Sequence, residues 1–203
     1  MTMRVAVAAS GRGSNLEALL RTLGTGTPAR VVLVLSDRAS AGALTLARSH
    51  GVATQVLADP ANPDEWLDPL ERAAADLVVL AGYLKLVPRG VVERYRGRIV
   101  NIHPALLPAF GGRGMYGRRV HEAVIAAGVA ESGIAIHLVD EEYDRGPVIA
   151  RRTVAVEPGD TPESLEARVT ALEPAFYVET LQGIAAGSIR LPEKPSHISD
   201  NIP

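Results

Sequence analysis

The sequence contains no cysteine, which excludes disulfides and thiolate metal sites. It has no excess of one charge: the net charge of -2 gives no basic footprint for nucleic acid and no electrostatic attraction to a membrane surface. No apolar run approaches the ~18 residues of a membrane span. The opening run, Met1 to Ala9, is too short for a signal peptide and ends at Gly11 and Arg12, so none is expected. There is no internal repeat, low-complexity tract or dividing linker. What remains is a chain of 203 residues, 47% hydrophobic and 22% charged, expected to be one cytoplasmic domain with a sizeable core and no metal ligands.

Val5 to Ala9, Val31 to Leu35 and Leu77 to Ala81 are short apolar runs rich in β-branched residues and read as buried strands; Val52 to Leu57 is a weaker one. Helical patterns separate them: Leu16, Leu19, Leu20 and Leu23, then Ala41 to Ser49, then Trp66 to Ala75. This alternation predicts right-handed crossovers and a Rossmann-like α/β fold, with a mostly parallel sheet covered by helices on both faces. Later, Gly133 to Val139 and Pro147 to Val156 are close enough in sequence to form an antiparallel pair. A helix is predicted at about Arg118 to Ala127. Another opens at Asp160-Thr161-Pro162-Glu163, with a capping side chain and a proline in the first turn. The tail from Ile189 shows little periodicity and is expected to be a surface strap or partly disordered.

The chemistry gathers around Arg98 to Pro108. Asn101 and His103 end a short strand two residues apart, so both project from one face. Pro104 ends the strand because it lacks a ladder N–H. A titratable imidazole beside a fixed amide donor suits chemistry on a carbonyl. The glycine-rich stretch that follows, to Gly117, is long enough to serve as a functional loop.

Ser10-Gly11-Arg12-Gly13-Ser14-Asn15 joins the first strand to the first helix and offers backbone N–H groups to a phosphate. It is neither a Gly-x-Gly-x-x-Gly nor a Walker motif. A capping box between Ser14 and Glu17 is expected as well. Asp37 could hold a ribose hydroxyl, although the missing third glycine weakens that reading. Asp140 to Asp144 packs four carboxylates into five residues and closes with Gly146-Pro147. It is either a solvated turn or a way to bring a carboxylate, best Asp144, to His103, where it would raise the imidazole pKa and favour imidazolium. His137, mid-strand among apolar neighbours, reads as a structural, hydrogen-bonded histidine, and His121 is ambiguous. Leu165, Val169, Leu172 and Phe176 form the apolar stripe of the last helix. Glu173 flanks that stripe as a core group or a ligand contact, and Pro174 should kink the helix.

Ser10-Gly-Arg-Gly-Ser-Asn15, Leu80-Ala-Gly-Tyr-Leu-Lys-Leu86, Asn101-Ile-His-Pro-Ala-Leu-Leu-Pro108 and Asp140 with Asp144-Arg-Gly-Pro together resemble the glycinamide ribonucleotide formyltransferase family over residues 4 to 192. The resemblance implies a single-domain formyltransferase fold over 1–203. A nucleotide-binding half would span about 1–100, a folate-binding and catalytic half about 101–190, and a tail 189–203. It implies formyl transfer from 10-formyltetrahydrofolate, as co-substrate, to the amine of glycinamide ribonucleotide in purine biosynthesis. Gly13, Ser14 and Asn15, with Thr170, Ala171, Leu172 and Glu173, match the ribonucleotide contacts. Leu84, Lys85, Leu86 and Val87 match the folate pocket, as do Asn101 and Asp140, Glu141, Glu142, Tyr143 and Asp144. Asn101, His103 and Asp144 match the catalytic set, with no metal. The implied partners are two small molecules, with no nucleic acid or membrane and a monomer or homodimer. Two related activities stay open: a formyltetrahydrofolate hydrolase, or transfer to another amine acceptor. A nucleotide-binding module without chemistry would leave the Asn101/His103 pair unexplained. The chain departs from the family in having no Lys or Arg in residues 59 to 66, where a basic residue near the folate's glutamate tail is common.

Overall fold

The computed structural model describes residues 2–24 and 26–192. The elements run β1 (Met3–Ala8), α1 (Ser14–Thr22), β2 (Ala29–Ser36), α2 (Gly42–Ser49), β3 (Ala53–Val56), α3 (Asp64–Arg72), β4 (Leu77–Leu80), α4 (Arg89–Arg94), β5 (Ile99–His103), α5 (Arg118–Ala127), β6 (Glu131–Leu138), β7 (Val148–Ala155) and α6 (Pro162–Ala186). One seven-stranded sheet has the order β3-β2-β1-β4-β5-β6-β7. The pairs β1–β2, β2–β3, β1–β4 and β4–β5 are parallel, and β6 is antiparallel to both β5 and β7.

Strand alternation explains the two-sided core. Val5, Val7, Leu77 and Val79 join one apolar cluster with Leu16 and Leu19 of α1, Leu44 of α2, Val120 and Val124 of α5, and Leu165 and Val169 of α6. Ala6, Ala8, Val78 and Leu80 face the other way, into a second cluster with Trp66 and Leu70 of α3 and Val91 and Val92 of α4. Successive residues of a strand point to opposite faces, so an unbroken apolar strand needs cover on both. Tyr177 of α6, fully buried, directs its hydroxyl at the carbonyls of Leu80 (3.0 Å) and Val100 (3.2 Å), which ties the last helix to the sheet beside the site.

Several expectations change. The short helix α4 was not anticipated; a run of six residues is too brief to show periodicity. The start of α1 has no side-chain cap: its N-cap is Gly13, in the left-handed region at φ 91°, and Glu17 pairs with Arg21 instead of Ser14. A Cβ at Gly13 would also stand 3.1 Å from Ala43 Cα, a tight contact that adds to the cost of the left-handed backbone for any other residue. On α6 the buried face is Leu165, Val169, Phe176, Tyr177, Val178, Thr180 and Leu181, and Leu172 is exposed. Leu172 and Glu173 both suit the helical period between Val169 and Phe176, and the packing of α6 turns Glu173 inward and Leu172 out. Helical structure runs through Pro174 without a break. The predicted cap of α6 is present: Thr161 and Ser164 exchange side-chain and backbone bonds at 3.3 and 3.0 Å. Of the expected tail strap, Pro192 accepts a bond from Arg98 (2.7 Å), and residues 193–203 lie outside the described part.

Candidate active site

In this strand order the chain turns back at β1, which lies between β2 and β4. Loops leaving β1 and β4 diverge there, and a crevice at the carboxyl ends of the strands results. A cavity of about 550 Å³ occupies that position. Asn15 lines it from the start of α1, Gly82 to Val87 from the loop after β4, and Asn101 to Pro104 from the end of β5. Glu142, Tyr143 and Asp144 enter from the β6–β7 loop, Gly112 to Gly117 from the glycine-rich loop, and Glu166, Thr170 and Glu173 from α6. Gly13 and Ser14, Ala171 and Leu172, and Asp140 and Glu141 flank these segments without lining the cavity. Asp140 shapes its loop by accepting the Glu142 N–H at 3.0 Å.

Asp144 lies between two imidazoles. His103 Nδ1 is 3.6 Å from one carboxylate oxygen and His137 Nε2 is 3.4 Å from the other. The Gly112 N–H donates to the carboxylate at 2.9 Å, joining the acidic loop to the glycine-rich loop. Asp144 adopts a left-handed backbone, φ 56°, which Asp tolerates better than most residues. Burial raises its pKa, but contact with His137, the charge that His103 gains on protonation and the Gly112 N–H outweigh that and hold it below the usual value.

The expected imidazolium at His103 is not what this environment favours. Burial lowers the His103 pKa more than Asp144 and the Phe110 carbonyl raise it, so the ring is neutral near pH 7. His103 is 3% exposed, and at 3.6 Å the carboxylate is beyond hydrogen-bond reach. A carbonyl only accepts, so the 2.8 Å contact with Phe110 O places a proton on Nε2 and leaves the Nδ1 lone pair toward Asp144.

Two histidines that sequence reasoning left aside also line the cavity. His137 is hydrogen-bonded, as its apolar setting implied, but its partner is Asn101 (3.1 Å). The signal that could have revealed this is register: Asn101 and His137 are direct cross-strand neighbours in the antiparallel β5–β6 pair, so they share a face. Burial lowers the pKa of His121 against the opposing charge of Glu166, and its Nδ1 is buried without a partner.

On the α1–α6 side, Asn15 donates to Glu173 at 3.0 Å, and its own carbonyl oxygen is buried without a donor. Burial raises the Glu173 pKa, with Glu166 adding to it and Asn15 opposing. On the opposite side, Tyr83 packs edge-on against Trp66, ring centroids 5.1 Å apart, which supports the loop carrying Leu84 to Val87. Lys85 is 3.7 Å from the buried Asp37 carboxylate. Two cations that sequence reasoning overlooked, Arg113 and Arg119, line the cavity, and among the described residues neither has a carboxylate within 4.0 Å. No metal-binding cluster of His, Asp and Glu occurs among the described residues.

A fixed amide and a buried, hydrogen-bonded imidazole beside a carboxylate can stabilise an oxyanion and move a proton, the two tasks of an acyl-transfer enzyme. The comparisons with known proteins are more specific. A family model described as formyl transferase matches residues 3–181. Over 195 residues the chain is 42% identical to a chloroplastic phosphoribosylglycinamide formyltransferase of Arabidopsis thaliana, covering 92% of this chain and 67% of that protein. It is 34% identical over 198 residues to the phosphoribosylglycinamide formyltransferase of Escherichia coli, covering 94% and 91%. A crystal structure of the Anaplasma phagocytophilum phosphoribosylglycinamide formyltransferase superimposes with a TM-score of 0.86 at 36% identity, covering 95% of this chain and 91% of that one. The chain belongs to the formyl transferase family.

Proposed function

We propose that Asn101, His103 and Asp144 carry out formyl transfer from 10-formyltetrahydrofolate to the amine of glycinamide ribonucleotide, in the cytoplasm. Formyl transfer to this ribonucleotide, a step of purine biosynthesis, is the activity for which the relatives are named. The observation that carries the assignment of roles is the convergence of Asn101, His103 and Asp144 on one cavity from two distant segments of chain.

The amine attacks the formyl carbon and the carbonyl oxygen becomes an oxyanion. Asn101 donates a hydrogen bond to it, and a donor preorganised in this way is worth ~10²–10³ in rate. His103 begins neutral. Growing negative charge on the oxygen favours imidazolium, so the ring takes the proton released by the amine, relayed by water at Asp144. The imidazolium then stabilises the oxyanion and returns a proton to the departing folate nitrogen. Nε2–H must leave Phe110 O to reach substrate, which couples the chemistry to movement of the glycine-rich loop. Closure of that loop would exclude water, the competing nucleophile.

The ribonucleotide is assigned to the side lined by Asn15, Thr170 and Glu173, whose acceptors suit ribose hydroxyls. The uncapped α1 start at Gly13 and Ser14 offers free N–H groups to the phosphate. The folate is assigned to Leu84 to Val87 and the acidic loop. Arg113 and Arg119 offer positive charge to these anionic ligands in the absence of a base in 59–66.

Purified protein with both substrates should release deformylated folate only when the ribonucleotide is present. Release without it would make the chain a hydrolase, and no turnover with it would remove the reading.

A further inference from the structure

We propose that His137 is a positioning residue for this reaction: it fixes the side-chain amide of Asn101 so that an N–H, and not the carbonyl oxygen, faces the reacting formyl group. The inference rests on the acyl-transfer reading above and assigns His137 a role beyond packing.

His137 is 2% exposed, and its Nδ1 lies 2.8 Å from the backbone carbonyl of Leu138. A carbonyl oxygen has no proton to give, so Nδ1 carries the hydrogen. In the tautomer with its hydrogen on Nδ1, the lone pair is on Nε2. That lone pair lies 3.1 Å from the side-chain nitrogen of Asn101. Turned the other way, the amide would set its oxygen against the lone pair, two acceptors in contact. The Leu138 carbonyl therefore selects the tautomer of His137, and the tautomer selects the orientation of Asn101.

An amide nitrogen has two hydrogens. One is taken by His137; the other is free for the oxyanion. The strands supply rigidity, because Asn101 pairs with His137 across β5–β6 and the cross-strand bond cannot slip without breaking register. Asp144 approaches the same Nε2 at 3.4 Å. Without the imidazole, the Asn101 amide is free to turn its hydrogens toward that carboxylate, leaving its oxygen toward the developing negative charge.

The test compares two substitutions at one position. His137→Leu removes the acceptor, whereas His137→Gln can present an amide oxygen near the position of Nε2. With the acyl-transfer assay, His137→Leu should lower kcat by ~10², the cost of losing one oriented oxyanion donor, with both KM values within about threefold. His137→Gln should recover most of that loss. In an Asn101→Ala background, His137→Leu should cost no more than about twofold, because the group it orients is already gone. Equal losses in the two variants, an undiminished rate in His137→Leu, or the same loss in both backgrounds would overturn the proposal. The side-chain amide resonances of Asn101 supply a readout independent of turnover. They should move in His137→Leu and stay near their original shifts in His137→Gln, and identical spectra in all three proteins would also overturn it. An unaltered protein that transferred no formyl group would defeat the assigned reaction, while these resonances would still decide the role of His137.

Discussion

Asn15 and Glu173, separated by 158 residues in the chain, are 3.0 Å apart. The bond closes one end of the cavity by joining the start of α1 to the middle of α6, and both residues face the space assigned to the ribonucleotide. Asn15→Ala removes the neutral donor from a half-buried carboxylate, so the Glu173 pKa should rise further, since Asn15 is the contact that lowers it. The expected result is a KM for the ribonucleotide raised by about tenfold or more, with the folate KM little changed. Steady-state kinetics with each substrate varied in turn is the check; an effect confined to the folate KM would contradict the assignment of the two sides.

The charge of His103 gives a second prediction. Its pKa in the folded protein lies below the ordinary value, so its ring resonances should titrate below pH 6.5. Asp144 is a contact that raises this pKa, so Asp144→Asn should move the titration lower still, and kcat should fall by ~10² or more. Asn tolerates the left-handed backbone of this position, which separates loss of charge from loss of shape. For stability the sign is fixed: the unfolded chain takes up the proton first. The contribution of His103 is therefore fully present above about pH 6.5 and declines as pH falls toward the folded pKa. Titration of the imidazole by NMR and melting curves across the same range measure both effects; a His103 titration above pH 6.5 would refute the neutral ring.

The third prediction concerns Gly146, next to Arg145 and Asp144. A Cβ at Gly146 would meet the Leu138 carbonyl oxygen at 1.9 Å, so the loop or the end of β6 must move. Gly146→Ala should cost about 1–3 kcal/mol and lower Tm by roughly 2–4 °C per kcal/mol. By displacing Asp144 it should also lower kcat by tenfold or more. Gly24→Ala is the control, because nothing stands within 4 Å of its Cβ position. Equal Tm and kcat in the two variants would remove the steric argument.

How much of this was legible beforehand depended on the range of the interaction. Strands β1, β2 and β4 were readable because burial on both faces demands continuous apolar runs, whereas β3, a partly exposed edge strand, gave only a weaker signal. The pairing of Asn101 and His103 on one face follows from the two-residue repeat of a strand. The six-residue α4 and the exposure of Leu172 were not readable, the first for lack of periodicity, the second because a one-residue rotation of a stripe depends on what packs against it.

By itself the sequence determined the layered α/β class, the places where loops rather than helices leave the strands, and the residue types able to do carbonyl chemistry. All three rest on local pattern or on side-chain chemistry. Only the tertiary structure decided which of those residues meet, in what protonation state, and to what end. The neutral state of His103 comes from burial outweighing a nearby carboxylate, a balance with no counterpart in a run of letters. The partnership of His137 with Asn101 needs β6 to lie antiparallel to β5, a long-range pairing that short-range periodicity does not encode.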